Sequence, residues 1–253
     1  MQLSITERKE KILQMLMDDN SVSVNNISEK LGVTVVTARS DLATLESEGF
    51  LVRTHGGAVP SRHPKLMKRM ETNREIKSAI AQKAASLIND GETVIITAGT
   101  TTALIAKYLI GKKDVHIVTN NTLLLSYARI NMQVRITLIG GEFRPSEEGM
   151  IGPMAMSSLD QFHVSKAFIG IDGASQKQGF TAHFLESAEL VRKMAQQADE
   201  VIVLSDSEKF NSPGFARIIP YVDADVLITD SHLNDSEDEA LKKAQVRVLK
   251  VNL

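Results

Sequence analysis

Gly32-Val33-Thr34-Val35-Val36-Thr37-Ala38-Arg39-Ser40-Asp41-Leu42 is the run that decides the fold of this chain. A short helix capped by Ser23 ends at Gly32, and a residue without a Cβ suits a left-handed cap there. Thr34 follows as an N-cap, its hydroxyl placed to accept an amide N–H one turn on. Ala38, Leu42 and Leu45 then fall on one stripe at helical spacing and face a core. Val36, Thr37, Arg39 and Ser40 crowd the opposite side and flank of the first turns. After Gly49, the stretch Phe50-Leu51-Val52-Arg53-Thr54-His55-Gly56-Gly57-Ala58-Val59 reads as two short strands around a glycine turn. Helix, tight turn, second helix and β-wing make a winged helix-turn-helix, whose second helix enters the DNA major groove with its N-terminal residues at base edges. A small structural helical hairpin would share the helical pattern. The Arg and His flanking a Gly-Gly wing tip favour DNA. The expected contact residues are Thr34, Val36, Thr37, Arg39, Ser40, Arg53 and His55.

Upstream, Ser4-Ile5-Thr6-Glu7 is a capping-box pattern. It opens a helix with Ile12, Leu13, Met15 and Leu16 inward, broken at Asp18-Asp19-Asn20. Residues 1–59 therefore form the DNA-binding domain. Residues 60–75, with Pro60, Pro64 and several bases, read as a linker, although Leu66, Met67 and Met70 also fit a connecting helix. Residues 76–253 form a second domain. A helix through Ile76, Ile80, Ala84 and Leu87 leads into Thr93–Ile96, and strands and helices then alternate. Short β-branched runs separated by helices predict an α/β domain with a mainly parallel sheet and helices on both faces.

A chain of 253 residues suits one small and one ordinary domain. With no cysteine, a disulfide framework and a Cys-based zinc site are excluded. No apolar run approaches the ~20 residues needed to span a bilayer. Met1–Thr6 lacks the charged-then-apolar layout of a secretory leader. The expectation is a soluble cytoplasmic protein with no membrane partner. The net charge of −2 argues weakly against nucleic acid, and acids outnumber bases even within residues 1–59. Phosphate contact depends on the local field, however, not the sum. Arg62, Lys65, Lys68 and Arg69 add positive charge just beyond the wing.

Ligands of open parallel sheets bind beyond the carboxyl ends of the strands, where this chain places small and polar residues. The first strand runs into Ala98-Gly99-Thr100-Thr101-Thr102, whose amides and hydroxyls at a helix start suit an anion. The next ends are Thr119-Asn120-Asn121, Gly140-Gly141-Glu142-Phe143-Arg144, Gly170-Ile171-Asp172-Gly173 and Asp206-Ser207-Glu208-Lys209-Phe210. Each alone is ordinary turn chemistry; five at corresponding positions form a rim. The set suits a phosphorylated polyol. The expected effector residues are Gly99, Thr100, Thr101, Thr102, Thr119, Asn120, Gly140, Gly141, Arg144, Asp172, Gly173, Asp206 and Lys209.

Glu7 to Val59 resembles the N-terminal domain of the DeoR-type family of bacterial sugar-metabolism repressors. The resemblance rests on Thr37-Ala38-Arg39-Ser40-Asp41-Leu42 and on Leu51-Val52-Arg53-Thr54-His55-Gly56-Gly57-Ala58. Ser40 stands where a second Arg is usual. The second domain resembles the same family's sensor domain, whose fold is related to ribose-5-phosphate isomerase. Here the matches are Gly99-Thr100-Thr101, Thr119-Asn120, Gly140-Gly141 with Arg144, and Asp206-Ser207 with Lys209-Phe210. Thr97 replaces the usual Asp, and Glu208 a common Ser. The resemblance implies a repressor that binds operator DNA as a dimer or tetramer and responds to a phosphorylated sugar, with no cofactor.

The rival reading is an enzyme, a sugar-phosphate isomerase or transferase with an appended DNA-like domain. Isomerisation needs a base beside a carbonyl, and Asp172, Glu186 and Asp206 are candidates. Thr97 removes one acid from the rim, and a DNA head has no role in a simple isomerase. His183 with Glu186 and Glu189 offers a weak metal pattern, His116 reads as a structural strand histidine, and no metal site is expected.

Overall fold

The computed structural model describes residues 4–252. The first three residues of the Met1–Thr6 stretch and Leu253 lie outside the described residues. The chain divides into two compact units, one ending at Thr72 and the other beginning at Asn73.

In the first unit, α1 (Ile5–Asp19) starts at a closed capping box. Glu7 N–H donates to Ser4 Oγ at 3.2 Å, and Ser4 N–H donates to Glu7 at 2.7 Å. The chain continues through β1 (Val22–Ser23), α2 (Val24–Leu31) and α3 (Val35–Ser47) into β2 (Leu51–Thr54) and β3 (Gly57–Pro60). Gly32 caps α2 at φ 64°, and Thr34 Oγ1 accepts Thr37 N–H at 3.1 Å to start α3. The strands form an antiparallel sheet in the order β1-β3-β2. Ile12, Leu16, Ile27, Ala38, Leu42, Leu45 and Leu51 close one core under helices and wing. Arg8 on α1 donates twice to buried Asp41 on α3, at 2.7 and 2.9 Å. Of the 60–75 stretch read as a linker, residues 64–71 are helix. Helix α4 (Pro64–Glu71), with proline at its start, lies against α1, and its Leu66 and Met67 are buried.

The second unit opens with α5 (Arg74–Ser86), β4 (Thr93–Ile96) and α6 (Thr100–Ala103), which tightens into a 3-10 turn through Tyr108. Next come β5 (Val115–Thr119), α7 (Thr122–Ala128), β6 (Val134–Leu138), the hairpin strands β7 (Glu142–Arg144) and β8 (Gly149–Ile151), and α8 (Pro153–Ser158). The remainder is β9 (Val164–Gly170), β10 (Gly173–Ser175), β11 (Gly179–Ala182), α9 (Leu185–Gln196), β12 (Ala198–Leu204), β13 (Ala216–Ile219), β14 (Val226–Asp230), α10 (Asp235–Lys243) and β15 (Arg247–Val251). Seven strands pair in parallel in the order β15-β14-β12-β9-β4-β5-β6. Their β-branched runs are buried on both sides, with Ile95, Ala167, Ile169, Val203 and Leu227 packed against Leu190 and Met194 of α9.

From β4 the chain steps outward to β5 and β6, then returns to the other side of β4 and steps through β9, β12, β14 and β15. Right-handed crossovers running in opposite directions put their helices on opposite faces. Accordingly α5 contacts α6 and α6 contacts α7, while α8 contacts α9. The order reverses between β4 and β9, and the crevice of an open sheet lies outside such a reversal. The β7–β8 hairpin and the antiparallel β10-β11-β13 sheet were not anticipated from the alternation.

Candidate DNA interface and effector site

The first turns of α3 carry Val36 at 76 % exposure with Thr34, Arg39 and Ser40 also outward, while Thr37 is partly covered. Arg39 has no hydrogen bond or ion pair among the described residues. A groove of about 430 Å³ runs between α3 and the wing, lined by Asn25, Arg39, Leu42, Arg53, Thr54 and His55. The wing tip is tied down where Val24 N–H donates to Gly56 O at 2.9 Å. A Cβ on Gly57 would stand 1.8 Å from Val22 O, so β1 and β3 can pair this closely only over glycine.

Arg53 is not a loose arm. Its N–H and Nε–H donate to the two oxygens of Glu46 on α3, at 2.9 and 2.7 Å. Those bonds hold the Glu46 carboxyl below the usual carboxylate range, the main-chain bond first and the guanidinium second. One groove residue, Asn25, and the partner of another, Glu46, escaped the sequence reading. Asn25 is exposed in the first turn of α2, just past the Ser23 cap, and Glu46 sits seven residues before its partner. An exposed polar residue beside a cap was the available signal for Asn25; nothing local marked Glu46.

At the switch point, Thr97 Oγ1 accepts Gly170 N–H at 3.0 Å, joining the ends of β4 and β9. The Gly99–Thr102 turn follows directly. Thr100, Thr101 and Thr102 are all buried, and Thr102 Oγ1 donates to Thr97 O at 2.7 Å. The Thr101 hydroxyl has no hydrogen-bond partner among the described residues. Lys209 reaches this end of the sheet from beyond β12, donating to Ile171 O at 2.8 Å, with Asp206 at 4.0 Å. Asp172 accepts His183 N–H at 2.9 Å. Glu208 turns aside and accepts from Asn73 at 2.9 Å, which removes its charge from the crevice.

Other rim residues spend their polar groups on the protein itself, which differs from the contacts expected of them. Thr119 is fully buried, with its hydroxyl donating to Ile96 O and accepting Asn121 N–H. Asn120, 2 % exposed, accepts Ala98 N–H at 2.7 Å and donates to Met150 O at 3.0 Å, so it splints the β4 turn to β8. Gly141 lies where a Cβ would meet Ile151 O at 2.4 Å, and Gly140 precedes it past β6, two strands from β4. Gly173 packs under Ser212, whose O a Cβ would meet at 2.0 Å. Arg144 bonds Ser187 Oγ at 3.1 Å and Glu186 at 3.2 Å and lies over the Phe184 ring, so it latches the hairpin to the start of α9. The structure thus gathers Gly99–Thr102, Asp172, Asp206 and Lys209 at the switch and leaves Gly140, Gly141 and Arg144 to the hairpin.

Asp230, which sequence reasoning passed over, lies at the next strand end. Burial works against its ionised form, but hydrogen bonds from Ser207 N–H, Ser207 Oγ and His232 outweigh it and hold the carboxyl below its ordinary range. Of the acids of the enzyme reading, Asp172 is held by His183 N–H, Glu186 is held by Arg144 away at the hairpin, and Asp206 is buried. Among the described residues, no group of His, Asp and Glu is placed to hold a metal ion, and no helix is long and apolar enough to cross a membrane.

A model of the DeoR-like helix-turn-helix domain matches residues 8–63, and one of the DeoR C-terminal sensor domain matches residues 72–231. The chain is 35 % identical over 247 residues to the HTH-type transcriptional repressor GlcR of Bacillus subtilis (strain 168), covering 96 % of this chain and 95 % of that protein. It is 32 % identical over 235 residues to the lactose phosphotransferase system repressor of Lactococcus lactis subsp. lactis, covering 90 % and 91 %. A solved ribose 5-phosphate isomerase A from Methanocaldococcus jannaschii aligns with 55 % of each chain at 19 % identity and a TM-score of 0.41. With both of its domains matched, the chain belongs to the DeoR family of transcriptional regulators.

Proposed function

We propose that this chain represses a sugar or polyol catabolic operon and releases its operator when a phosphorylated sugar binds the second domain. The observation that carries the reading is the groove in which Arg39, Arg53, His55 and Asn25 converge from three separate elements. It has the donors and the width-spanning layout that base edges and flanking phosphates require. Thr34, Val36, Thr37 and Ser40 complete the DNA-facing set on α3.

For the effector, the support is the switch point. Gly99, Thr100, Thr101 and Thr102 supply turn amides and hydroxyls, Lys209 a cation, and Asp172 and Asp206 acceptors for sugar hydroxyls. An effector oxygen would give the Thr101 hydroxyl the partner it lacks among the described residues. The relatives named as a lactose phosphotransferase system repressor and as GlcR support a sugar-related operon. Thr119, Asn120, Gly140, Gly141, Gly173 and Arg144 then act one step removed, by holding the turns that make the crevice.

Coupling follows from linkage: an effector that binds one arrangement of the heads better shifts the population toward it. Paired heads on repeated half-sites call for a dimer or tetramer, and work on a bacterial operon places the protein in the cytoplasm. The test is a gel shift on the protein's own upstream region, titrated with a panel of sugars and their phosphates. Release by one phosphorylated sugar, and not by its free sugar, is the expected result. No retarded band on any upstream fragment would end the repressor reading.

A further inference from the structure

We propose that Glu46 is a positioning residue for operator binding, holding the wing arginine so that the free end of its guanidinium faces the groove shared with Arg39. The inference rests on the reading of Arg53 as a DNA contact. Strand β2 is an edge of the wing sheet, in the order β1-β3-β2, so main-chain donors on its outer side have no strand to bond. Glu46 meets one of them, Arg53 N–H at 2.9 Å, and its second oxygen takes Arg53 Nε–H at 2.7 Å. A single carboxylate therefore grips backbone and side chain of the same residue. Among the described residues, the Nη groups have no other partner. They remain as a planar fork of donors, the geometry that meets a phosphate bidentately.

Arginine carries much rotamer freedom, and a contact made by a side chain already held loses less entropy on binding. Opposing this, Glu46 is itself an anion, bonded to a residue of the DNA-facing groove. The two effects have opposite signs. If charge repulsion dominates, removing Glu46 tightens DNA binding. If positioning dominates, removing it weakens binding even though the protein has become more positive.

The experiment measures operator affinity and its salt dependence for the full-length wild type, Glu46→Ala, Glu46→Gln, Arg53→Ala and the Glu46→Ala/Arg53→Ala double variant, with thermal midpoints as a folding control. Positioning predicts that Glu46→Ala binds roughly tenfold more weakly, and that Glu46→Gln, which keeps an acceptor, recovers part of the loss. The double variant should match Arg53→Ala alone, because Glu46 acts through Arg53. Tighter or unchanged binding by Glu46→Ala, or additive losses in the double variant, overturns the proposal while leaving Arg53 as a contact. Wild-type affinity in Arg53→Ala would remove the wing contact itself, and this inference with it.

Discussion

The hydroxyl of Thr97 accepts the main-chain N–H of Gly170 at 3.0 Å, across the two strands between which the sheet reverses its order. Thr97 is fully buried, so the crevice floor is bound together by a side chain from a position where the family pattern usually has Asp. Thr97→Val keeps the shape and removes the acceptor, leaving Gly170 N–H without a partner. The expected loss is about 1–2 kcal/mol of stability, seen as a lower denaturation midpoint. Thr97→Ser should restore most of it. An unchanged midpoint for the valine variant would show that this bond contributes nothing.

Lys209 donates to Ile171 O, just past the end of β9, and under the proposed function it exchanges that bond for the effector's anion. Lys209→Ala should weaken binding of the phosphorylated effector by roughly ten- to a hundredfold, while operator binding without effector stays as in the wild type. Thr101→Glu should do the same by repulsion. Calorimetry with a sugar and its phosphate decides the matter: equal affinities for the two ligands refute a phosphate cradle at Gly99–Thr102.

Arg39 has no partner among the described residues, unlike Arg53, and stands on the exposed side of α3. Arg39→Ala should therefore cost roughly 1–3 kcal/mol of operator binding and relax the preference at one base position, with no change in the thermal midpoint. A competition gel shift against operators varied one base pair at a time reads both effects. Uniform weakening at every sequence would place Arg39 on a phosphate instead.

Limited proteolysis tests the segment that ends the first unit. Lys65, Lys68 and Arg69 look like open trypsin sites in a linker, but the helix that carries them buries Leu66 and Met67. Cleavage needs local unfolding, so residues 60–73 should outlast the exposed loops under mild digestion. Early mass-spectrometric fragments beginning after Lys65 or Lys68 would mean that α4 opens readily in solution.

His116 supplies the pH dependence. Burial first, and the nearby Arg135 second, push its pKa below the ordinary value of 6.5. Arg135 donates to its Nδ1 at 3.2 Å, which leaves Nε2–H for Thr137 at 2.8 Å and favours the neutral ring. The unfolded chain therefore takes up this proton at a higher pH than the fold does. Stability from this group is flat above about pH 7 and falls as pH drops below about 6.5. Thermal midpoints between pH 8 and pH 5 should fall more steeply for the wild type than for His116→Gln. Parallel curves would mean that the ring titrates alike in both states.

The winged helix was legible in the chain itself because its signals are local. The Ser4–Glu7 box, the left-handed Gly32, the Thr34 cap and the Gly56-Gly57 turn each act within a few residues, and the structure has all of them. The alternation of strands and helices was legible for the same reason, through side-chain periodicity. Strand order was not, since which parallel strands become neighbours is decided by packing between segments far apart in the chain. Only that order puts Thr97 beside Gly170 and brings Lys209 to Ile171. The same limit applies to the rim. A Thr or Asn after a strand has the same local pattern whether it faces a ligand or, like Thr119 and Asn120, bonds a distant main chain. Sequence determined which polar groups stand at the strand ends; tertiary structure decided which of them the protein had already used, because a buried hydrogen-bonding group must be paired with whatever the fold brings near.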